Sequence, residues 1–243
     1  MAANWYQLPV ADVAGRLETD LANGLSEAEA RERRDRYGPN ELVERGGRTP
    51  WQILWEQLSG VLTVILIVAA VVSFALGDSV DALVILAIVV LNAALGFTQE
   101  LKAEKSMAAL KRMSVPTVRV RRGGQVSEIS ARHLVPGDVV LLETGNVVPA
   151  DGRVAESVNL RIEEAALTGE SEAVDKQDDL VFEMQKPLAD RRNMVYMGTI
   201  VTYGHGEIVI TETGMQTELG HIAGMIQSVD VEQTPLQKRL DSV

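Results

Sequence analysis

Val61-Leu62-Thr63-Val64-Ile65-Leu66-Ile67-Val68-Ala69-Ala70-Val71-Val72 lies inside a longer run, Gln57 to Gly77, that carries no charged residue. At about 1.5 Å of rise per helical residue the run reaches roughly 30 Å, the thickness of a bilayer's hydrocarbon core. A second uncharged run, Ala82 to Gln99, follows the short connection Gly77-Asp78-Ser79-Val80-Asp81. A segment in lipid must satisfy its own backbone hydrogen bonds, so both runs are predicted as helices, and so short a connection makes them a hairpin. The connection has no Lys or Arg. Arg31, Arg33, Arg34, Arg36, Arg45 and Arg48 precede the hairpin, and Lys102, Lys105, Lys111 and Arg112 follow it. The positive-inside rule then puts both flanks in the cytoplasm and the acidic connection outside. The alternative is a buried hairpin in a soluble protein. Two such runs in tandem with this charge asymmetry argue against it.

Composition sets further bounds. The chain has 243 residues, enough for one or two domains. Its formal net charge of -11 disfavours a nucleic-acid partner, which calls for a basic surface. The absence of Cys removes disulfides and thiolate metal sites. His133, His205 and His221 have no ligand spacing, so no metal site is expected. Aromatic residues make up only 4%, so any core is built from Val, Ile, Leu and Ala. Met1 to Val10 has no basic region leading into an apolar stretch, so no cleavable secretory signal is expected.

Ahead of the hairpin, Val10, Val13 and Leu17 share a helical face. Ser26-Glu27-Ala28-Glu29 is a capping box, and its helix is predicted to stop at Tyr37-Gly38-Pro39-Asn40. Trp51, Leu54, Trp55 and Leu58 make an amphipathic entry to the first span, with the two Trp suited to the water–lipid interface. Beyond the hairpin the second helix is expected to continue through Leu110. The period then changes. Val118 and Val120 alternate with Arg119 and Arg121, Gly123-Gly124 turns, and Val126 and Ile129 follow. Pro136-Gly137-Asp138 precedes Val139-Val140-Leu141-Leu142, and Pro149-Ala150-Asp151-Gly152 precedes Arg153-Val154. Ile200-Val201 and Ile208-Val209-Ile210 read as strands around Gly204 and Gly206. Short strands between frequent turns predict a compact, mainly-β domain from about Val115 to Thr213, closed by a helix from about Thr217 to Val229.

Within that domain Leu167-Thr168-Gly169-Glu170-Ser171 is the stretch with chemical interest. A Gly beside a Glu allows close backbone approach and presents one carboxylate at a loop tip, where it can orient water or accept its proton. The triplet alone is a common turn. Its surroundings are specific. Val135-Pro136-Gly137-Asp138-Val139-Val140, Pro149-Ala150-Asp151-Gly152, Glu164 through Ser171, Asn193 through Thr199 and Thr213 through Gly220 together resemble the actuator domain of P-type cation-transporting ATPases. Gly24-Leu25-Ser26 with Tyr37-Gly38-Pro39-Asn40, and Thr234-Pro235-Leu236-Gln237, resemble the N-terminal segment and the approach to the third span of the type II, calcium-pump-like branch. The blocks run in order through essentially the whole chain. Departures are Glu163-Glu164-Ala165 where the family often has Asp-Glu-Ser, Ala173 where it often has Pro, and Ser59 near the place of an acidic gating residue of some calcium pumps.

The resemblance implies an α+β membrane protein fragment, with a helical hairpin and a small mainly-β actuator domain flanked by helices. The expected division is 1–49, a cytoplasmic helical segment; 50–110, the hairpin with spans at about 57–77 and 82–101; 111–230, the actuator domain; and 231–243, a linker toward a third span beyond Val243. It also implies an ATP-driven cation pump in which an aspartate in another domain is phosphorylated. Glu170 would activate the water that hydrolyses the aspartyl phosphate, with Thr168 and Gly169 shaping the loop. Turning of the domain would pull the spans through Lys102–Met113 and Arg45–Trp51. ATP and Mg2+ would serve the full-length pump, with neither bound by this fragment. Its partners would be the phosphorylation and nucleotide-binding domains, the lipid bilayer and the transported cation. Calcium leads, with sodium, potassium, proton or magnesium as competitors. The expected location is the plasma membrane of a prokaryote. A rival is a two-span anchored binding or regulatory module with no catalysis. The two differ in whether an apolar span and Asp-Lys-Thr-Gly follow downstream.

Overall fold

The computed structural model forms two compact units, Met1–Val43 with Val115–Val243, and Glu44–Ser114. Within them the structure describes residues 4–42, 49–113, 116–170 and 172–228. Arg45, Arg48, Ser171, Val229 and the Thr234–Gln237 block lie outside the described residues.

The N-terminal part of the first unit has a 3-10 turn, Trp5–Gln7, then α1, Val10–Arg16, and α2, Glu27–Tyr37. The capping box forms as read. Glu29 N–H donates to Ser26 Oγ at 3.3 Å, and Ser26 N–H donates to Glu29 Oε2 at 2.8 Å. Gly38, at φ 79, caps the other end with its N–H on the Arg34 carbonyl.

The second unit is helical. A second capping box, Thr49 with Gln52, and Pro50 at the first position start α3, Pro50–Ser59. α4 spans Val61–Ala75 and α5 spans Ser79–Met113. One continuous helix was expected over 57–77. Instead Gly60 takes φ -58 and ψ 136, an extended conformation that cannot carry the helical ladder, and α3 and α4 meet at a bend of 62°. α4 alone, 15 residues, is about 22 Å long, short of a bilayer core. Ser79–Met107 is one helix long and apolar enough to cross a membrane, and α3 with α4 is a second if the bent pair counts as one span. Ala70 of α4 and Ala82, Val89 and Ala93 of α5 are buried, while Val61, Leu62, Ile65, Leu83, Val90 and Leu91 are exposed. Small residues at the helix contact and large apolar ones outside suit helices that pack in lipid. Gly96 of α5 also lies under the Gln57 side-chain amide, which a Cβ would displace.

The rest of the first unit is a seven-stranded sheet. Its strands are β1 Thr117–Arg122, β2 Gln125–Ser130, β3 Val139–Glu143, β4 Asp151–Glu163, β5 Val174–Asp175, β6 Met194–Val195 and β7 Ile200–Glu212. The order is β2-β1-β3-β7-β4-β5 with β6 also on β4, and every pairing is antiparallel. A single turn of helix, α6 Ala165–Thr168, links β4 to β5, and α7 Glu218–Ser228 follows β7. Val120, Leu134, Val140, Val154, Ile162 and Ile208 are among the fully buried core side chains.

β4 and β7 are each 13 residues long, where short strands were expected. The glycines do not interrupt β7. Gly204, at φ 76, and Gly206 let its backbone close on the Asn159 and Glu156 carbonyls, where a Cβ would collide. Register shifts between Val154 and Glu156 and between Val158 and Arg161 absorb the extra residues of β4 as bulges.

The N-terminal segment is built into this sheet. Leu25 bridges to Arg122 and packs with Ala30 and Val135. Asn40 does more than mark a helix stop. Its Nδ2 donates to the Ala131 and Pro149 carbonyls at 3.1 and 2.9 Å, and its Oδ1 accepts from Gly214 N–H at 2.8 Å. Arg33 Nη1 and Thr19 Oγ1 reach the Pro136 and Gly137 carbonyls at 2.9 Å each. In the same turn, buried Asp138 takes a bidentate pair from Arg122 at 2.8 Å and the Val135 N–H at 2.9 Å.

Candidate functional site

Thr168, Gly169 and Glu170 sit at the end of α6, where β4 leaves the sheet. The helix is only four residues long, and its C-cap is Gly169 in the left-handed conformation, φ 77, with its N–H on the Ala165 carbonyl. Any side chain is disfavoured there, which accounts for the glycine. Thr168 Oγ1 donates back to the Glu164 carbonyl at 3.1 Å and accepts the Glu170 N–H at 3.3 Å. The half-buried Thr168 hydroxyl thus ties the start of the turn to its tip. Gly169 and Glu170 are exposed. The arrangement holds one solvated carboxylate on a turn whose backbone is fixed from below, as a group that meets an incoming partner should be.

What lies beneath was not foreseen. Leu167 packs on a cluster of Tyr6, Met194 and Tyr196 that also draws in Trp5, Phe182 and Leu188. The N-terminal 3-10 turn therefore backs the loop. It is fastened by Trp5 Nε1 donating to Glu212 Oε1 at 3.0 Å and by Asn193 Nδ2 donating to the Tyr6 carbonyl at 2.8 Å. The Arg191 guanidinium lies 4.3 Å from the Tyr6 ring centroid. Glu164 is buried with Lys176, Nζ to Oε1 at 2.6 Å. Burial pushes the Glu164 carboxyl up and the Lys176 ammonium down, and each charge draws its partner back toward the ionised form. Leu160 and Ile162 of β4 are buried, and Glu164, one residue past the strand, continues their period of two. Nothing in the sequence marked Lys176 as its partner.

Asp151, read only as part of a turn, lines the same cavity as Tyr6, Met194 and Tyr196. Its Oδ1 accepts from Met197 N–H and its Oδ2 from Glu218 N–H, both at 2.8 Å, so it holds the first residue of α7. Burial raises its carboxyl to about 7, helped by the Glu218 and Glu212 charges and opposed by the two amides.

Residues 112–227 match the family model described as the P-type ATPase actuator domain, and residues 5–73 match that of the cation transporter/ATPase N-terminus. The "Calcium-transporting ATPase 1" of Bacillus cereus is 44% identical over 245 residues, covering 99% of this chain and 28% of that protein. The "Calcium-transporting ATPase" of Bacillus subtilis is 41% identical over 239 residues, covering 98% and 27%. A "Sodium/potassium exporting P-type ATPase" of Schizosaccharomyces pombe is 42% identical over 233 residues, covering 95% and 22%. The chain thus spans about a quarter of the length of the relatives it matches.

Proposed function

The chain belongs to the P-type cation-transporting ATPases, and on that premise we propose that it forms part of an ATP-driven pump, with calcium the leading cation. Residues 111–230 act as the moving actuator part, and its Thr168-Gly169-Glu170 turn promotes hydrolysis of an aspartyl phosphate carried elsewhere in the full-length protein. Glu170 positions the attacking water and takes its proton. Thr168 and Gly169 hold the turn in the shape that lets the backbone approach the phosphate. The gain comes from placement and electrostatics, with the covalent intermediate dividing one difficult transfer into two steps. ATP and Mg2+ are handled by the phosphorylation and nucleotide-binding domains of the full-length protein. The pump sits in the plasma membrane with both flanks of the hairpin cytoplasmic.

The observation that carries this reading is the exposed Glu170 carboxylate on a turn pinned by Gly169 and the Thr168 hydroxyl. The two bacterial relatives' names favour calcium. The sodium/potassium name of the yeast relative, at similar identity, makes the cation a separate question, answered by which ion triggers phosphorylation from ATP. For the turn, Glu170→Gln in the full-length protein should leave phosphorylation by ATP intact and slow loss of the phosphate roughly 100- to 10,000-fold, the usual contribution of a positioned general base. Phosphoenzyme decay at the parent rate would sink the role.

A further inference from the structure

The loop that presents Glu170 is an excursion between two paired strands. Its outgoing limb leaves β4 after Glu163, and its returning limb rejoins where Ile162 faces Val174 and Arg161 faces Asp175. Lys176 follows on the returning limb. Its N–H donates to the Leu160 carbonyl at 2.8 Å, and its own carbonyl accepts from Ser157 Oγ at 2.6 Å. From that fixed backbone the side chain reaches Glu164 on the outgoing limb. Their side chains are 0% and 1% exposed, and neither makes a hydrogen bond to any other group among the described residues. Nζ also lies 5.8 Å from the centroid of the Tyr196 ring, a member of the cluster that supports Leu167. One ion pair therefore spans the base of the loop.

Such a pair is a costly way to fill space. Apolar side chains of similar volume generally give equal or better stability, because two charges must be stripped of water. What the pair adds is a link of fixed length and direction between the two limbs. Glu164 is also where the turn begins: its carbonyl accepts the N–H groups of Leu167 and Thr168 and the Thr168 hydroxyl. A shift of Glu164 therefore carries the whole turn with it.

We propose that Glu164 and Lys176 are positioning residues that set where the Thr168-Gly169-Glu170 turn stands, and so set the rate of phosphoenzyme hydrolysis. This rests on the hydrolytic reading of Glu170. Displacement of a reacting group by about 1 Å can cost on the order of 100-fold, so loss of the link acts on rate without touching the phosphate.

The test uses the full-length pump with Glu164→Gln and with the apolar double variant Glu164→Leu/Lys176→Met, each beside Glu170→Gln. Phosphorylation by ATP to the parent level reports that a variant is folded, and either pair variant meeting this standard suffices. The expected result is hydrolysis of the phosphoenzyme slowed about 10- to 100-fold, with the ATP concentration for half-maximal phosphorylation unchanged. In the double variant that slowing should accompany a thermal midpoint equal to or above the parent's, which a merely structural role would not produce. Parent-rate hydrolysis in the double variant, with Glu170→Gln slow, overturns the positioning role alone. Parent-rate hydrolysis in Glu170→Gln overturns both readings. Pair variants that never reach the phosphorylated state also overturn the proposal, since the pair would then be holding the fold.

Discussion

Arg153 has five N–H donors, and the fold uses all of them. Nε points at the Leu8 carbonyl at 3.4 Å, Nη1 at Val154 and Asn193 at 2.8 and 3.1 Å, and Nη2 at Asp178 and Leu180 at 3.1 and 2.7 Å. Burial draws the guanidinium down to about 10, against the pull of the Asp178 and Asp179 charges. One side chain thus fastens the N-terminal strap, β4, the loop after β5 and the approach to β6. Arg153→Lys offers three donors in place of five and cannot match the fork. The expected cost is about 3 kcal/mol, or roughly 6–12 °C in the thermal midpoint of the chain in detergent. A midpoint within 2 °C of the parent, by circular dichroism, would show that water replaces the missing donors. None of this was legible in advance. An Arg after Pro149-Ala150-Asp151-Gly152 does not announce itself as a buried hub, because its five acceptors come from four separate places in the chain. Thr168-Gly169-Glu170 was readable as a turn because its geometry is local, a left-handed Gly and a Thr that bonds two residues on, and only the blocks around it singled it out.

At the level of elements, α7 depends on a carboxylate from β4. Asp151, the first residue of β4, accepts the Glu218 N–H at the helix's first residue. Its folded value, about 7, is above the ordinary 3.8. Between those values the folded chain keeps a proton that the unfolded chain has released. The stability due to this group is therefore fully present below about 4 and is lost as pH rises through about 7, at most on the order of 4 kcal/mol. Asp151→Asn cannot titrate. The parent's thermal advantage over this variant should therefore shrink between pH 5 and pH 8, and a constant or widening gap would contradict the assignment. Helix identity was readable from apolar runs and the Ser26 capping box, but two lengths were not. The 57–77 run looked continuous because apolarity says nothing about Gly60's dihedral angles. β7 looked broken because its glycines read as turns, whereas they admit carbonyls of β4.

Across the whole molecule, the family blocks were readable because they occur in order from the N-terminal segment through the actuator domain. The way residues 4–42 are woven into the sheet was not, since contacts such as Trp5 with Glu212 join residues 207 apart. Membrane sidedness is testable with unusual ease, because the chain has no Cys. A Cys placed at Asp81 should react with a membrane-impermeant maleimide on intact cells, and one at Glu128, on the exposed part of β2, only after lysis. Equal labelling before lysis would reverse or remove the hairpin's orientation. The first unit is also discontinuous, with the helical hairpin inserted between its two parts. On the ribosome this imposes a wait. Leu25 emerges 97 residues ahead of Arg122, its bridge partner, and Trp5 still further ahead of Glu212. At about 5–20 residues per second the N-terminal strap stays without its sheet for roughly 10 to 40 s, while the hairpin is being made. During that interval Trp5, Tyr6 and Leu25 are uncovered apolar groups, so a chaperone or the membrane surface has its best opportunity to hold this chain before the actuator has closed.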